Sequence, residues 1–219
     1  MRSKKRCERK RFRSREEWLA GRSRQGLGCS ELAAVIGQSP WMTATELWQQ
    51  KVFGTTKDLS GNEAVAKGVR LEPYLRELFK GLHSELDVKY HPFDILYQKD
   101  RPFCFATLDG EFKDSEGKLG VLEIKTSNPQ SRKAWEEWNN RIPPQYYAQT
   151  LGQLATSGYD YVILFACLFG QNGDITLREY LIDGNDEQVR TDMEYLMEKA
   201  EEFWKAVESK TLPKLSITF

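Results

Sequence analysis

Asp109, Glu123 and Lys125 are the residues of this chain whose types and spacing suggest chemistry. Asp109 follows the apolar run FCFATL, while Glu123 and Lys125 sit inside VLEIK beside Val121, Leu122 and Ile124. Strand side chains alternate faces, so Glu123 and Lys125 share one face and Leu122 and Ile124 take the other. The intervening KDSEGK reads as a hairpin turn in which Gly117 supplies a positive φ. If the two strands pair, two carboxylates and an amine converge. Carboxylates held together repel unless a cation lies between them. Oxygen ligands select a hard ion, Mg2+ or Mn2+, and the backbone carbonyl between Glu123 and Lys125 adds a ligand. Lys125 would position or deprotonate a water, and the ion would stabilise charge on a phosphate, which is the chemistry of phosphodiester hydrolysis. A surface hairpin with a Glu–Lys pair also matches D-x13-E-x-K; the apolar flanks of Glu123 weigh against it, because charges in a core-like strand need a reason.

Several elements must position these groups. REEWLAGRSRQGLGCSELAAVIG reads as helix, loop, helix, with Ser30 as N-cap and Gly37 as stop. TATELWQQKVFG opens with a capping box, Thr43 to Glu46, and ends at Gly54. A helical pattern from Asn62 to Leu82 contains Pro73, which predicts a kink or break near Glu72. Strands are expected around 93–97, 103–109 and 119–126. SRKAWEEWNNR and IPPQYYAQTLGQLATSG read as helices, the second with Pro144 in its first turn. Tyr146, Gln149 and Gln153 fall on one face of it. Strands at 160–169 and 175–182 precede an amphipathic helix marked by Val189, Met193, Leu196, Ala200, Phe203 and Val207.

The 219 residues suit one α/β domain with a mixed sheet. Net charge is zero but uneven: residues 1–15 carry nine of the 32 basic side chains and one of the 32 acidic ones, leaving a balance of −8 elsewhere. That head, MRSKKRCERKRFRSR, residues 1–15, reads as a solvated, partly disordered basic segment, with phosphate binding or import signalling as alternatives; residues 16–219 form the domain. The longest apolar run, YVILFACLF, is too short for a membrane span and reads as a buried strand. Cysteines at 7, 29, 104 and 167 form no CxxC pair, so free thiols in a reducing cytoplasm fit better than zinc, iron–sulfur or disulfides. His83 and His91 are too few for a histidine metal cage.

Asp109 followed by Glu123-Ile-Lys125 resembles the PD-(D/E)XK nuclease signature. GLGCSELAAVIGQSPWMTATELW resembles the opening motif of the lambda-exonuclease or YqaJ-type phage recombinase nucleases. KGVRLEPYLRELF resembles that family's G-x3-E helix, with Gly68 and Glu72, and QYYAQTLGQLATSG its Y-x-x-Q helix, with Tyr146 and Gln149. The four motifs stand in the family's order over roughly residues 18–160. Leu108 replaces the proline expected before the aspartate, and the arginine of the opening motif is Arg22 or Arg24.

The resemblance implies a PD-(D/E)XK core, a central mixed β-sheet flanked by helices. It implies that Asp109, Glu123 and the Ile124 carbonyl hold Mg2+ (Mn2+ may substitute), and that Lys125 activates water. Glu72 would reach the metal site, Gln149 would steady Lys125 or a water, and Tyr146 would lie alongside. Arg22, Ser30 and Thr107 would bind a terminal 5′-phosphate. Trp135 and Trp138 contact DNA or form a core stripe. The implied activity is a Mg2+-dependent 5′→3′ exonuclease on linear double-stranded DNA, working as a ring-shaped homotrimer in a bacterial cytoplasm. It would leave a 3′ strand for a single-strand annealing protein. The alternatives are another PD-(D/E)XK nuclease, endonuclease or repair enzyme, and a non-catalytic protein that binds DNA ends.

Overall fold

Apolar periods of two and of 3.6 residues divide the chain into the strands and helices of a computed structural model that describes residues 7–23, 26–55, 61–139 and 141–213. In chain order these are β1 (Cys7–Arg11), α1 (Arg15–Ser23), β2 (Leu27–Gly28), a 3-10 turn (Cys29–Glu31), α2 (Leu32–Val35), α3 (Ala44–Phe53) and α4 (Glu63–Leu82). There follow β3 (Asp87–Lys89), β4 (Asp94–Gln98), β5 (Cys104–Ala106), β6 (Gly110–Lys113) and β7 (Leu119–Ser127). The remainder is α5 (Arg132–Glu136), α6 (Pro144–Ser157), β8 (Tyr161–Phe169), β9 (Ile175–Asp183) and α7 (Glu187–Glu208).

The strands form two mixed sheets, ordered β1-β4-β5-β2 and β3-β6-β7-β8-β9, where one central sheet was expected. The run expected as a single strand over 103–109 causes the division. Its first half, β5, pairs with β4 and β2; the chain leaves the ladder at Thr107–Asp109; then β6 pairs with β3 and β7. Asp109 therefore sits where the backbone crosses from one sheet to the other.

The hairpin expected from KDSEGK forms, with β6 antiparallel to β7. The Asp114 carboxylate accepts the N–H groups of Glu116 and Lys118, both at 2.9 Å, and Gly117 takes φ 85°. Beyond β7 the chain crosses through α5 and α6 to β8, which runs parallel to β7 with Glu123 opposite Leu164 and Lys125 opposite Ala166. Leu122 and Ile124 pack with Leu75 and Phe79 of α4 and with Phe165, whereas Val121 joins Leu154, Leu164 and Trp138 in a separate cluster. A third cluster joins α2, α3, α6 and α7 through Leu32, Leu47, Leu151, Leu196 and Phe203.

Three local expectations are corrected. The basic head is not solvated throughout: β1 pairs with β4 over five residues, and Arg9 bridges Asp94 at 2.9 Å as well as Glu111. Cross-strand hydrogen bonds and two carboxylates hold a segment whose composition alone favours solvent. Its residues 1–6 lie outside the described residues. α4 runs unbroken past Glu72 despite Pro73. The carbonyl that loses its donor belongs to Val69, 65% exposed and open to water, while Leu75 and Phe79 anchor the following turns. Ser30 caps no helix, since it lies inside the 3-10 turn, where the Glu31 carboxylate instead accepts the Gly28 N–H at 2.8 Å. Among the described residues none of the four cysteines forms a disulfide. Among the described residues no helix is long and apolar enough to cross a membrane.

Candidate active site

Pairing of β6 with β7 brings Asp109 against the middle of β7. The Ile124 N–H donates to Asp109 Oδ2 at 2.8 Å, which ties that carboxylate between Glu123 and Lys125. Glu123 is 2% exposed, and each of its oxygens is engaged. Oε1 accepts from Gln149 Nε2 and Lys125 Nζ, both at 2.6 Å, and Oε2 accepts from Gln153 Nε2 at 2.5 Å. Gln149 and Gln153 lie one turn apart on α6, so one helix face grips the whole carboxylate. Tyr146, one turn earlier, places its ring centroid 5.2 Å from Lys125 Nζ.

Glu72 arrives from α4. That helix lies so close to β7 that a Cβ at Gly68 would meet Thr126 Oγ1 at 3.1 Å, and Glu72 follows one turn later. Arg76, 5% exposed, ion-pairs with Glu72, donates from Nε to the Asp109 carbonyl at 2.5 Å and stacks its guanidinium 3.5 Å from the Tyr90 ring centroid.

These groups act on one another electrostatically. Burial, then Glu123 and Glu72, push the Asp109 carboxyl well above the usual range; Lys125 and the Ile124 N–H oppose this. Burial also raises Glu72, against the pull of Arg76 and with a push from Glu123. Burial alone would lower Lys125, but Glu123 and Asp109 outweigh it and raise its pKa, so it is an ammonium here. Burial lowers the Arg22 pKa, and the charges of Glu31 and Asp109 oppose this. Its guanidinium lies 4.6 Å from the Trp18 ring centroid and has no hydrogen bond or ion pair among the described residues.

The structure thus joins Asp109, Glu123, Ile124, Lys125, Gln149 and Tyr146 in one set of contacts, and Arg76 links Glu72 to the Asp109 backbone. Ser30 is exposed and Thr107 half-buried; the register of β2 on β5 sets them on neighbouring segments. Arg24 lies outside the described residues. Trp138 is core: it is buried beside Leu154 and its carbonyl accepts from Tyr180. Trp135 packs on the same cluster and is half-buried, so the stripe at i, i+3 faces inward. Gln153 was placed on the Tyr146–Gln149 face from the sequence but given no role at the site, and Arg76 was not singled out, although its i+4 spacing to Glu72 could have found it.

A family model for a YqaJ-like viral recombinase domain matches residues 17–160. The uncharacterized protein YqaJ of Bacillus subtilis (strain 168) is 32% identical over 193 residues, 87% of this chain and 56% of its own, so this chain spans about half the length of that curated relative. The alkaline exonuclease LHK-Exo of Laribacter hongkongensis, solved with dAMP, matches with a TM-score of 0.64 and 20% identity over 89% of this chain and 93% of its own. A phage-related exonuclease from Haemophilus somnus 129PT matches with a TM-score of 0.57 and 15% identity over 84% of this chain and 96% of its own. These likenesses show a shared PD-(D/E)XK-type fold.

Proposed function

The chain belongs to the family of YqaJ-like viral recombinase domains, and from that premise we propose that it is a Mg2+-dependent exonuclease that digests linear double-stranded DNA from its ends in the 5′→3′ direction. The observation that carries this reading is the meeting of Asp109, Glu123 and Lys125 beneath Gln149 and Tyr146. The alkaline exonuclease and the phage-related exonuclease that share the fold support it.

The donor set fits a hard divalent ion. Among the described residues no cluster of three or more His, Cys, Asp and Glu side chains forms a ready cage; the donors on hand are the Asp109 and Glu123 carboxylates and the Ile124 carbonyl. Burial and then the neighbouring carboxylates raise the Asp109 carboxyl, and a cation relieves that crowding. Mg2+ bound there would neutralise the carboxylates and polarise a phosphate. The chain's own residues do the positioning. Gln149 and Gln153 fix the Glu123 carboxylate, and the Ile124 N–H fixes Asp109. Lys125, held as an ammonium, orients a water or donates to a phosphate oxygen. Arg22, Ser30 and Thr107 receive the terminal 5′-phosphate.

The family resemblance extends the reading to a homotrimeric ring and to delivery of the 3′ strand to a single-strand annealing protein. Linear duplexes labelled at either end, with and without Mg2+, test the activity, and closed circles serve as control. Loss of the 5′ label first, only with Mg2+, is expected, and Asp109→Ala or Glu123→Ala should abolish it. Cutting of closed circles would favour an endonuclease, and retention of ends without digestion would favour end binding alone. Mg2+-dependent digestion by both variants would overturn the site.

A further inference from the structure

A row of aromatic rings leads from the core to the surface past Lys125. Trp138, in the core, lies 5.4 Å from Tyr146 between centroids at an interplanar angle of 32°. Tyr146 then lies 6.0 Å from Trp41 at 47°. The inner end of the row is ordinary packing, but the outer end is not, because Trp41 is 61% exposed. Pro40 precedes Trp41, the Trp41 N–H donates to Ser39 Oγ at 3.3 Å, and the Thr43–Glu46 capping box that starts α3 stands two residues on. Among the described residues Tyr146 is the one aromatic ring against it. A large apolar ring therefore stands in water against Tyr146, the ring that lies 5.2 Å from Lys125 Nζ.

We infer that Trp41 is a stacking platform for an unpaired nucleobase at the end of a DNA strand, and so a positioning residue for the terminal nucleotide. The inference rests on the nuclease reading. A phosphate brought to Asp109, Glu123 and Lys125 carries its base within a few ångströms. Once unpaired, that base has lost its hydrogen-bonding partner but keeps two π faces. Stacking on an indole needs no charge and tolerates any base. Trp41 thus favours frayed ends and purines over pyrimidines, without reading sequence.

The test compares the full chain as wild type, Trp41→Phe and Trp41→Ala. Duplexes end in a natural, an abasic or a 2-aminopurine nucleotide on either strand, and binding is measured in EDTA so that cleavage is not needed. Trp41→Ala is expected to weaken binding of natural ends about tenfold and to relieve quenching of terminal 2-aminopurine, and Trp41→Phe to retain most of both. An abasic end should cost the wild type a similar factor, and the two changes together should cost no more than either alone. Unfolding midpoints should not move. Multiplying effects, unchanged binding by Trp41→Ala, or a loss that tracks self-association instead of the terminal base would overturn the proposal. A wild type that stacks ends in EDTA yet digests nothing with Mg2+ would retire the nuclease reading and leave this one standing.

Discussion

Arg76 on α4 donates from Nε to the Asp109 carbonyl at 2.5 Å while its other arm holds Glu72. One buried cation thus joins the helix that carries a third carboxylate to the backbone of the first. Removing it leaves Glu72 half-buried without its partner and the Asp109 carbonyl without its donor. Arg76→Ala should lower unfolding free energy by about 3 kcal/mol or more, and Arg76→Lys, which keeps charge but not the forked geometry, should recover only part. Urea denaturation measures both; a loss below about 1 kcal/mol for Arg76→Ala, the range of exposed pairs, would contradict the arrangement.

Crowded carboxylates suggest a conflict between stability and function. Burial and the charges of Glu123 and Glu72 work against ionised Asp109. Asp109→Asn keeps an oxygen for the Ile124 N–H and removes the charge. Without divalent metal at neutral pH, this variant should melt above the wild type while losing digestion. A lower melting temperature would show that the Asp109 charge is already compensated.

Gln153 is fully buried, and its amide N–H is the donor to Glu123 Oε2. Gln153→Leu should cost about 1–3 kcal/mol, because a buried carboxylate oxygen loses its partner. Gln153→Glu should cost more, since it sets a like charge against Glu123. Equal stability of Gln153→Glu and wild type would exclude the clamp.

His83, at the end of α4, bonds Glu179 at 3.0 Å and Glu85 at 3.1 Å. Burial lowers its pKa, but the two carboxylates outweigh burial and raise it above 6.5. A raised folded pKa means a contribution fully present below the unfolded value of 6.5 and lost as pH rises through the folded value. Unfolding midpoints should therefore fall with rising pH across this window, and His83→Gln should flatten that dependence. An equal slope in the variant would assign it to other groups.

Arg22 stands near Asp109 and Glu31 with its donors uncommitted among the described residues. A terminal phosphate carries more charge than an internal diester and suits such a cation. Duplexes with 5′-phosphate ends should be digested faster than those with 5′-hydroxyl ends, and Arg22→Ala should erase the preference. If Arg24→Ala erases it and Arg22→Ala does not, the phosphate contact belongs to Arg24.

Features that depend on neighbours in sequence were legible from the chain. The Asp114–Lys118 turn, the shared face of Glu123 and Lys125, the α3 capping box and the Tyr146–Gln149–Gln153 face follow from local periods and from turn and cap chemistry, and all appear. Motif order likewise pointed to the family. What the chain did not disclose depends on partners distant in sequence. The split of 103–109 between two sheets required β2 and β4 on one side and β3 and β7 on the other. The basic Cys7–Arg11 became a strand because Asp94 and Glu111 were waiting for Arg9. Pro73 left α4 whole because the contacts of Leu75 and Phe79 with β6, β7 and β8 outweigh one lost hydrogen bond. Trp138 went to the core and Trp41 to the rim because burial is settled by what packs across, not by hydrophobicity along the chain. Periodicity sets which way a side chain points; only tertiary packing decides what it meets.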